Sequence, residues 1–202
     1  MKKYNYTQAK FFVTVNDLEH LPVESLKEIA IVGRSNSGKS TLINSLTNQT
    51  RLAFTSKTPG RTQHINYFTI GNEPGVFLVD LPGYGYAKVP APVRKHWEGL
   101  LASYLSTRAP LIGLVIIMDA RRPLKELDYV MLNFFAATAK PVHIVLSKAD
   151  KLNQSEKKQC LEFVKTELAK HNFGNYTVQL FSAPKRLGTE ELETTLNTWL
   201  NR

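Results

Sequence analysis

The chain has 202 residues, 43% hydrophobic and 21% charged, an ordinary globular balance with length enough for one sizeable core. Its single cysteine, Cys160, excludes an intramolecular disulfide and any cysteine-rich zinc site. The formal charge of +9 points to a polyanionic partner, either nucleic acid or an anionic membrane surface. No run approaches the roughly 18 apolar residues needed to span a bilayer. No apolar segment follows Met1-Lys2-Lys3 as a signal peptide requires, so a cytoplasmic protein is expected.

Residues 1–27 carry no chemical signature and read as an extension packed on the domain that follows, residues 28–202. Within it, Lys10 to Val15 suits an extended segment at a sheet edge, and Leu18, Leu21, Pro22 and Leu26 a short packed turn. Ile29-Ala30-Ile31-Val32 then has the apolar, β-branched character of a buried strand. Gly33-Arg34-Ser35-Asn36-Ser37-Gly38-Lys39-Ser40 matches the phosphate-binding loop G-x-x-x-x-G-K-[ST]. Glycines permit the tight turns and the close approach to an anion. Successive backbone N–H groups and the helix N-terminus cradle phosphate oxygens, Lys39 reaches the β- and γ-phosphates, and the Ser40 hydroxyl ligates magnesium. A helix follows, with Leu42, Ile43 and Leu46 inward.

Asn48 to Arg61 has no apolar period, and a mobile loop of that length is usually functional. His64 to Gly71 and Val76 to Val79 read as antiparallel strands joined by a turn at Asn72-Glu73-Pro74-Gly75. Asp80-Leu81-Pro82-Gly83 matches the D-x-x-G pattern in which the aspartate holds magnesium through a water and the glycine N–H meets the γ-phosphate. Helices are expected over 92–107, with Trp97, Leu100, Leu101, Tyr104 and Leu105 on the apolar face, and over 123–138. Leu111 to Met118 reads as a central strand buried on both faces, and Pro141 to Leu146 as a second.

Ser147-Lys148-Ala149-Asp150 resembles the guanine-recognition motif [NT]-K-x-D. A carboxylate at Asp150 can accept hydrogen bonds from guanine N1–H and N2–H₂. Adenine offers neither donor there and would leave Asp150 desolvated and unpaired. The stem of Lys148 would pack on the base. Asn153 to Glu156 is a capping box opening a helix to Lys170, in which Cys160 lies near the face of Val164 and Leu168. Tyr176 to Phe181 is the last strand. Phe181-Ser182-Ala183 resembles the fifth motif of such proteins, in which the Ala183 N–H would meet guanine O6. Thr189 is placed to cap a closing helix with Leu192, Leu196, Trp199 and Leu200 on one face.

Taken with Thr58-Pro59-Gly60-Arg61-Thr62-Gln63 and Asp80-Leu81-Pro82-Gly83-Tyr84-Gly85, these motifs resemble the EngB (YihA/YsxC) family of GTPases over roughly residues 10–200. The resemblance implies an α/β, Ras-like P-loop GTPase fold: a mostly parallel six-stranded sheet with one antiparallel edge hairpin and helices on both faces. It implies GTP or GDP and magnesium as ligands, and a role in large ribosomal subunit assembly and in normal division and septation. Thr62 becomes a switch magnesium ligand, with Gly60, Arg61, Gln63 and His64 lying over the nucleotide. Asn36 stands where some relatives bind potassium. Lys39, Thr62 and Gly83 are the expected catalytic positions.

Tyr84 replaces the water-orienting glutamine of Ras-type enzymes, so slow, partner-stimulated hydrolysis is expected. From Lys39 to Arg122 there are ten basic residues against four acidic, a basic half suited to ribosomal RNA. A monomer without stable membrane insertion is expected. The alternatives are a division scaffold that binds a protein or a membrane, and an ATP-using P-loop enzyme, against which Asp150 argues.

Overall fold

A computed structural model of the protein describes residues 2–53, 64–85 and 91–202, with 91–98 described by backbone alone. Among these residues seven strands form one sheet: β1 (Phe11–Val15), β2 (Lys27–Gly33), β3 (Ile65–Thr69), β4 (Val76–Asp80), β5 (Leu111–Asp119), β6 (Val142–Ser147) and β7 (Tyr176–Leu180). Their spatial order is β1-β3-β4-β2-β5-β6-β7. The pairs β4–β2, β2–β5, β5–β6 and β6–β7 are parallel, and β1–β3 and β3–β4 are antiparallel. Five helices connect them: α1 (Lys39–Leu46), α2 (Ala91–Thr107), α3 (Glu126–Ala136), α4 (Gln154–Ala169) and α5 (Thr189–Leu200).

Strand alternation divides the core in two. On β2, Ile29 and Ile31 face a cluster built with Leu42, Ile43 and Leu46 of α1 and Leu192, Leu196, Trp199 and Leu200 of α5. Ala30 and Val32 face the opposite cluster, with Leu100, Leu101, Tyr104 and Leu105 of α2, Leu132 and Phe135 of α3, and Val164 and Leu168 of α4. A central strand covered on both faces reads as a continuous apolar run because each residue finds a helix above or below it. Each such fully buried aliphatic side chain contributes about 1.5–3 kcal/mol.

The sheet has seven strands rather than six, and β3 is not an edge. The segment before residue 28 supplies β1, which pairs along the outer side of β3 through Phe11↔Phe68 and Val15↔Ile65. An uncovered β3 would present a row of unpaired backbone groups, and β1 satisfies them. Phe11-Phe12-Val13-Thr14-Val15 lacks strict alternation because an outermost strand has little to bury on either face; Phe11 and Phe12 remain exposed. The extension is also tied down by Tyr6, whose hydroxyl donates to Asn197 Oδ1 at 3.0 Å, and by Pro22, whose carbonyl accepts from Arg108 Nη2 at 2.7 Å. Leu26 is exposed and does not pack, contrary to the reading of that turn.

Three helix starts bear on the expectations. The Asn153 capping box forms, with Asn153 Oδ1 accepting from the Glu156 N–H at 3.0 Å and Glu156 Oε2 accepting from the Asn153 N–H at 2.7 Å. α3 begins at Glu126 rather than Pro123, since Leu124 has φ 52°, outside helical space. Thr189 does not cap α5; Gly188 does, at φ 82°, and Thr189 is the first helical residue. Trp97 lies among residues described by backbone alone.

Candidate nucleotide site

Parallel strands deliver their C-terminal ends to one rim, which is where ligands bind open α/β sheets. Gly33, Asp80, Asp119 and Ser147 close β2, β4, β5 and β6 on that rim, and β7 runs out there into Phe181 and Ser182. Sequence-distant motifs therefore meet in space.

The phosphate loop leaves β2 at Gly33. A Cβ there would lie 2.5 Å from Ser37 Oγ and 2.7 Å from the Ile117 carbonyl, so only glycine fits. Gly38 has φ 99° and turns the chain into α1, whose first residues are Lys39 and Ser40. Asn36, at φ 61°, is an exposed non-glycine residue in left-handed space, which asparagine tolerates. Ser35 and Ser37 complete the turn, with the Ser37 N–H donating to the Arg34 carbonyl at 3.0 Å.

Lys39 Nζ forms an ion pair with Asp80 Oδ1, and both side chains are nearly buried. The loop after Asp80 runs alongside the phosphate loop. Leu81 N–H donates to the Ile31 carbonyl at 3.0 Å, and Tyr84 N–H to the Gly33 carbonyl at 3.2 Å. Leu81, Pro82 and Gly83 are buried there. The Tyr84 ring reaches across to α3, where its hydroxyl donates to Asp128 Oδ1 at 2.8 Å. Burial and the Asp128 carboxylate keep that phenol protonated far above its usual range.

The Ser147 loop is fastened to the phosphate loop. Ser147 Oγ donates to the Ser37 carbonyl, and Lys148 Nζ donates to the Asn36 carbonyl at 2.7 Å and pairs with Asp119 at 3.0 Å. Partial burial works against the Asp119 carboxylate, but Arg121 and Lys148 outweigh it and hold its pKa well below the carboxylate range. The backbone N–H of Ala149 donates to the Phe181 carbonyl at 3.0 Å. Ser182 Oγ donates to Asp150 Oδ1 at 2.7 Å, and this bond lowers the Asp150 pKa. Ser182 and Leu187 close the Ala183 loop by exchanging two backbone hydrogen bonds at 3.0 Å.

Beside the loop, Arg34, Ser35, Asn36, Ser37, Asp119, Arg121, Arg122 and Lys148 line an open, mostly cationic cleft of about 430 Å³. Of the residues expected at the nucleotide, Gly60, Arg61, Thr62 and Gln63 lie outside the described residues, as does Thr58-Pro59; His64 is exposed immediately before β3. Three residues that sequence reasoning passed over support the rim: Asp119, Arg121 and Asp128. Asp119 was legible in principle, as an acidic residue ending an apolar strand.

Fold and loop together define a P-loop GTPase. The family model described as "50S ribosome-binding GTPase" matches residues 28–148. A probable GTP-binding protein EngB of Neisseria meningitidis serogroup B is 57% identical over 197 residues, 97% of this chain and 93% of the relative. Its counterpart in Paraburkholderia xenovorans is 52% identical over 199 residues, 96% of this chain and 92% of that one. The chain belongs to the EngB family of GTP-binding proteins. A crystal structure of a probable GTP-binding protein EngB superposes with TM-score 0.68 at 22% identity, covering 86% of this chain and 98% of that one. The NFeoB domain of S. thermophilus bound to GDP·AlF₄⁻ and K⁺ superposes with TM-score 0.61 at 24% identity, covering 84% and 60%. Among the described residues no helix is long and apolar enough to cross a membrane.

Proposed function

We propose that this GTPase is a molecular switch acting in large ribosomal subunit assembly, with hydrolysis slow until a partner completes the site. The observation that carries the nucleotide assignment is the fastening of the base loop to the phosphate loop, through Ser147–Ser37, Lys148–Asn36 and Asp150–Ser182. Gly33 to Ser40 cradle the phosphates, and Lys39 exchanges its Asp80 partner for phosphate oxygens. Asp150 reads guanine, with Lys148 stacked on the base and Phe181, Ser182 and Ala183 closing its edge.

The oxygen donors fit a magnesium ion: Ser40 Oγ begins α1 beside Lys39, whose ammonium reaches the buried Asp80 carboxylate. Ser40 and Asp80, through a water, with Thr62, would hold it, and it would supply neutralisation of charge between the β- and γ-phosphates. Asn36 is the candidate potassium ligand. Its backbone carbonyl is occupied by Lys148, which leaves its exposed side chain to serve.

Among the described residues, two side chains beside the phosphate loop are engaged elsewhere and do not complete hydrolysis. The Tyr84 hydroxyl is committed to Asp128, and the Arg34 guanidinium to the Arg122 carbonyl and Asp128. Intrinsic turnover at or below about 10⁻² s⁻¹ is therefore expected, with acceleration by the bound particle. The family model and the cationic rim at Arg121 and Arg122 support ribosomal RNA as the surface met. A monomeric cytoplasmic protein, with residues 28–202 as the G domain and a downstream effect on division and septation, completes the reading.

Co-sedimentation with large-subunit particles should occur with a GTP analogue and weaken steeply with salt. Absence of binding in every nucleotide state rejects the ribosomal reading, and flotation with anionic liposomes instead would favour a membrane-associated division role. Asp150→Asn should shift preference from guanine to xanthine nucleotides, because the amide can donate to the xanthine 2-oxo group. A competition assay showing unchanged preference would remove Asp150 from base recognition.

A further inference from the structure

Asp128 is fully buried, on α3 rather than in any of the nucleotide motifs. Its Oδ2 accepts the Lys125 N–H at 2.8 Å. Its Oδ1 accepts the Tyr84 hydroxyl at 2.8 Å and lies 3.3 Å from Arg34 Nε, a charge contact too poorly aligned to be a hydrogen bond. Taking a carboxylate fully out of water is costly unless it is paired and hydrogen-bonded, and a well-packed apolar group is often as stable there. Helix capping does not require it either, since an exposed serine or aspartate can cap. What the buried carboxylate uniquely achieves is a junction. The phosphate loop at Arg34, the loop after Asp80 at Tyr84, and the first turn of α3 all meet on it.

The main chain of Tyr84 is held as firmly as its ring. Its N–H donates to the Gly33 carbonyl at 3.2 Å, and its carbonyl accepts the Ser35 N–H at 3.3 Å. The residue immediately after Gly83 is thus fixed at three points, two on the phosphate loop and one on α3. Arg34 supplies the balancing charge and is itself anchored by Nη2 on the Arg122 carbonyl at 3.0 Å.

We propose that Asp128 is a positioning residue for GTP: through the Tyr84 hydroxyl it holds Gly83 in place against the phosphate loop, presetting the Gly83 N–H for the terminal phosphate. The proposal rests on the reading of Gly83 as the γ-phosphate contact. GDP lacks that phosphate, so the clamp acts on GTP and leaves GDP alone. A residue that merely stabilised the fold would affect both nucleotides alike.

The measurement is the affinity of the full chain for a non-hydrolysable GTP analogue and for GDP. Tyr84→Phe removes only the hydroxyl and keeps the ring; Asp128→Leu keeps roughly the shape and removes the oxygen that accepts that hydroxyl. Each should weaken the analogue by about three- to tenfold, the worth of one hydrogen bond, with GDP within about twofold. The double variant should be no weaker than the weaker single, because both cut the same link. If Asp128→Leu fails to fold, Tyr84→Phe carries the test alone. Equal weakening of both nucleotides, or no change in either, overturns the proposal. Gly83→Ala separates the two layers. If it leaves the analogue-to-GDP ratio unchanged, the γ-phosphate reading has failed. If it shifts the ratio while Tyr84→Phe does not, only the clamp has failed.

Discussion

Lys39→Met should lower kcat/KM for GTP by about 10²–10³-fold, the loss that follows removal of one preorganised charge from a developing anion. Methionine keeps the apolar stem that is buried at the head of α1, so the comparison isolates the ammonium group. The substitution also strips Asp80 of the cation that pairs with it, and Asp80 is only 3% exposed. Some loss of thermal stability is expected alongside, and magnesium with nucleotide should restore part of it by binding the folded state. A folded Lys39→Met protein that hydrolyses GTP at the parental rate would show that the loop from Gly33 to Ser40 is not the phosphate site.

The second large effect lies at the opposite end of β2. Glu28 is fully buried; its Oε1 accepts from Arg108 Nε at 2.9 Å, and its Oε2 accepts from the Tyr104 hydroxyl at 2.6 Å. Burial opposes the Arg108 cation, but the Glu28 carboxylate outweighs it and raises the guanidinium pKa. Arg108 in turn reaches the Pro22 carbonyl, so this cluster fastens the N-terminal segment, the start of β2 and the end of α2. Glu28→Gln leaves a largely buried cation unpaired, which costs about 3–5 kcal/mol. At about 2–4 °C per kcal/mol, the melting temperature should fall by about 6–20 °C. Guanine nucleotide affinity, measured well below that temperature, should be unchanged, since the rim is a full strand length away. A fall smaller than about 2 °C would mean that the charges contribute little and packing alone holds this end.

Comparison of these two sites explains what could be read from residues alone. The motifs at Gly33–Ser40, Asp80–Gly83, Ser147–Asp150 and Phe181–Ala183 were legible because each is a short local pattern whose chemistry fixes its residue types. The strands β2, β5 and β6 were legible because burial on both faces demands unbroken apolar runs. Phe11–Val15 was readable only as an extended segment at a sheet edge, because pairing with β3 is a contact between residues fifty or more positions apart. The cap of α5 was misassigned to Thr189 because threonine is a favoured cap residue, whereas the Gly188 conformation is set by the loop that Ser182 and Leu187 close. Tyr104 was legible only as part of the apolar face of its helix, and Glu28, Arg108 and Asp128 carry no local signal.

By itself the sequence determined the class of chemistry: a phosphate loop and a base-motif carboxylate, each written in contiguous positions, and an excess of basic residues read from composition. Tertiary structure alone decided how these are held. It added the seventh strand, fastened the Ser147 loop to the phosphate loop, and turned the Tyr84 phenol onto a buried Asp128. The physical reason is that a carboxylate leaves water only when its partners are brought to it from distant segments, and no spacing rule along the chain records that meeting.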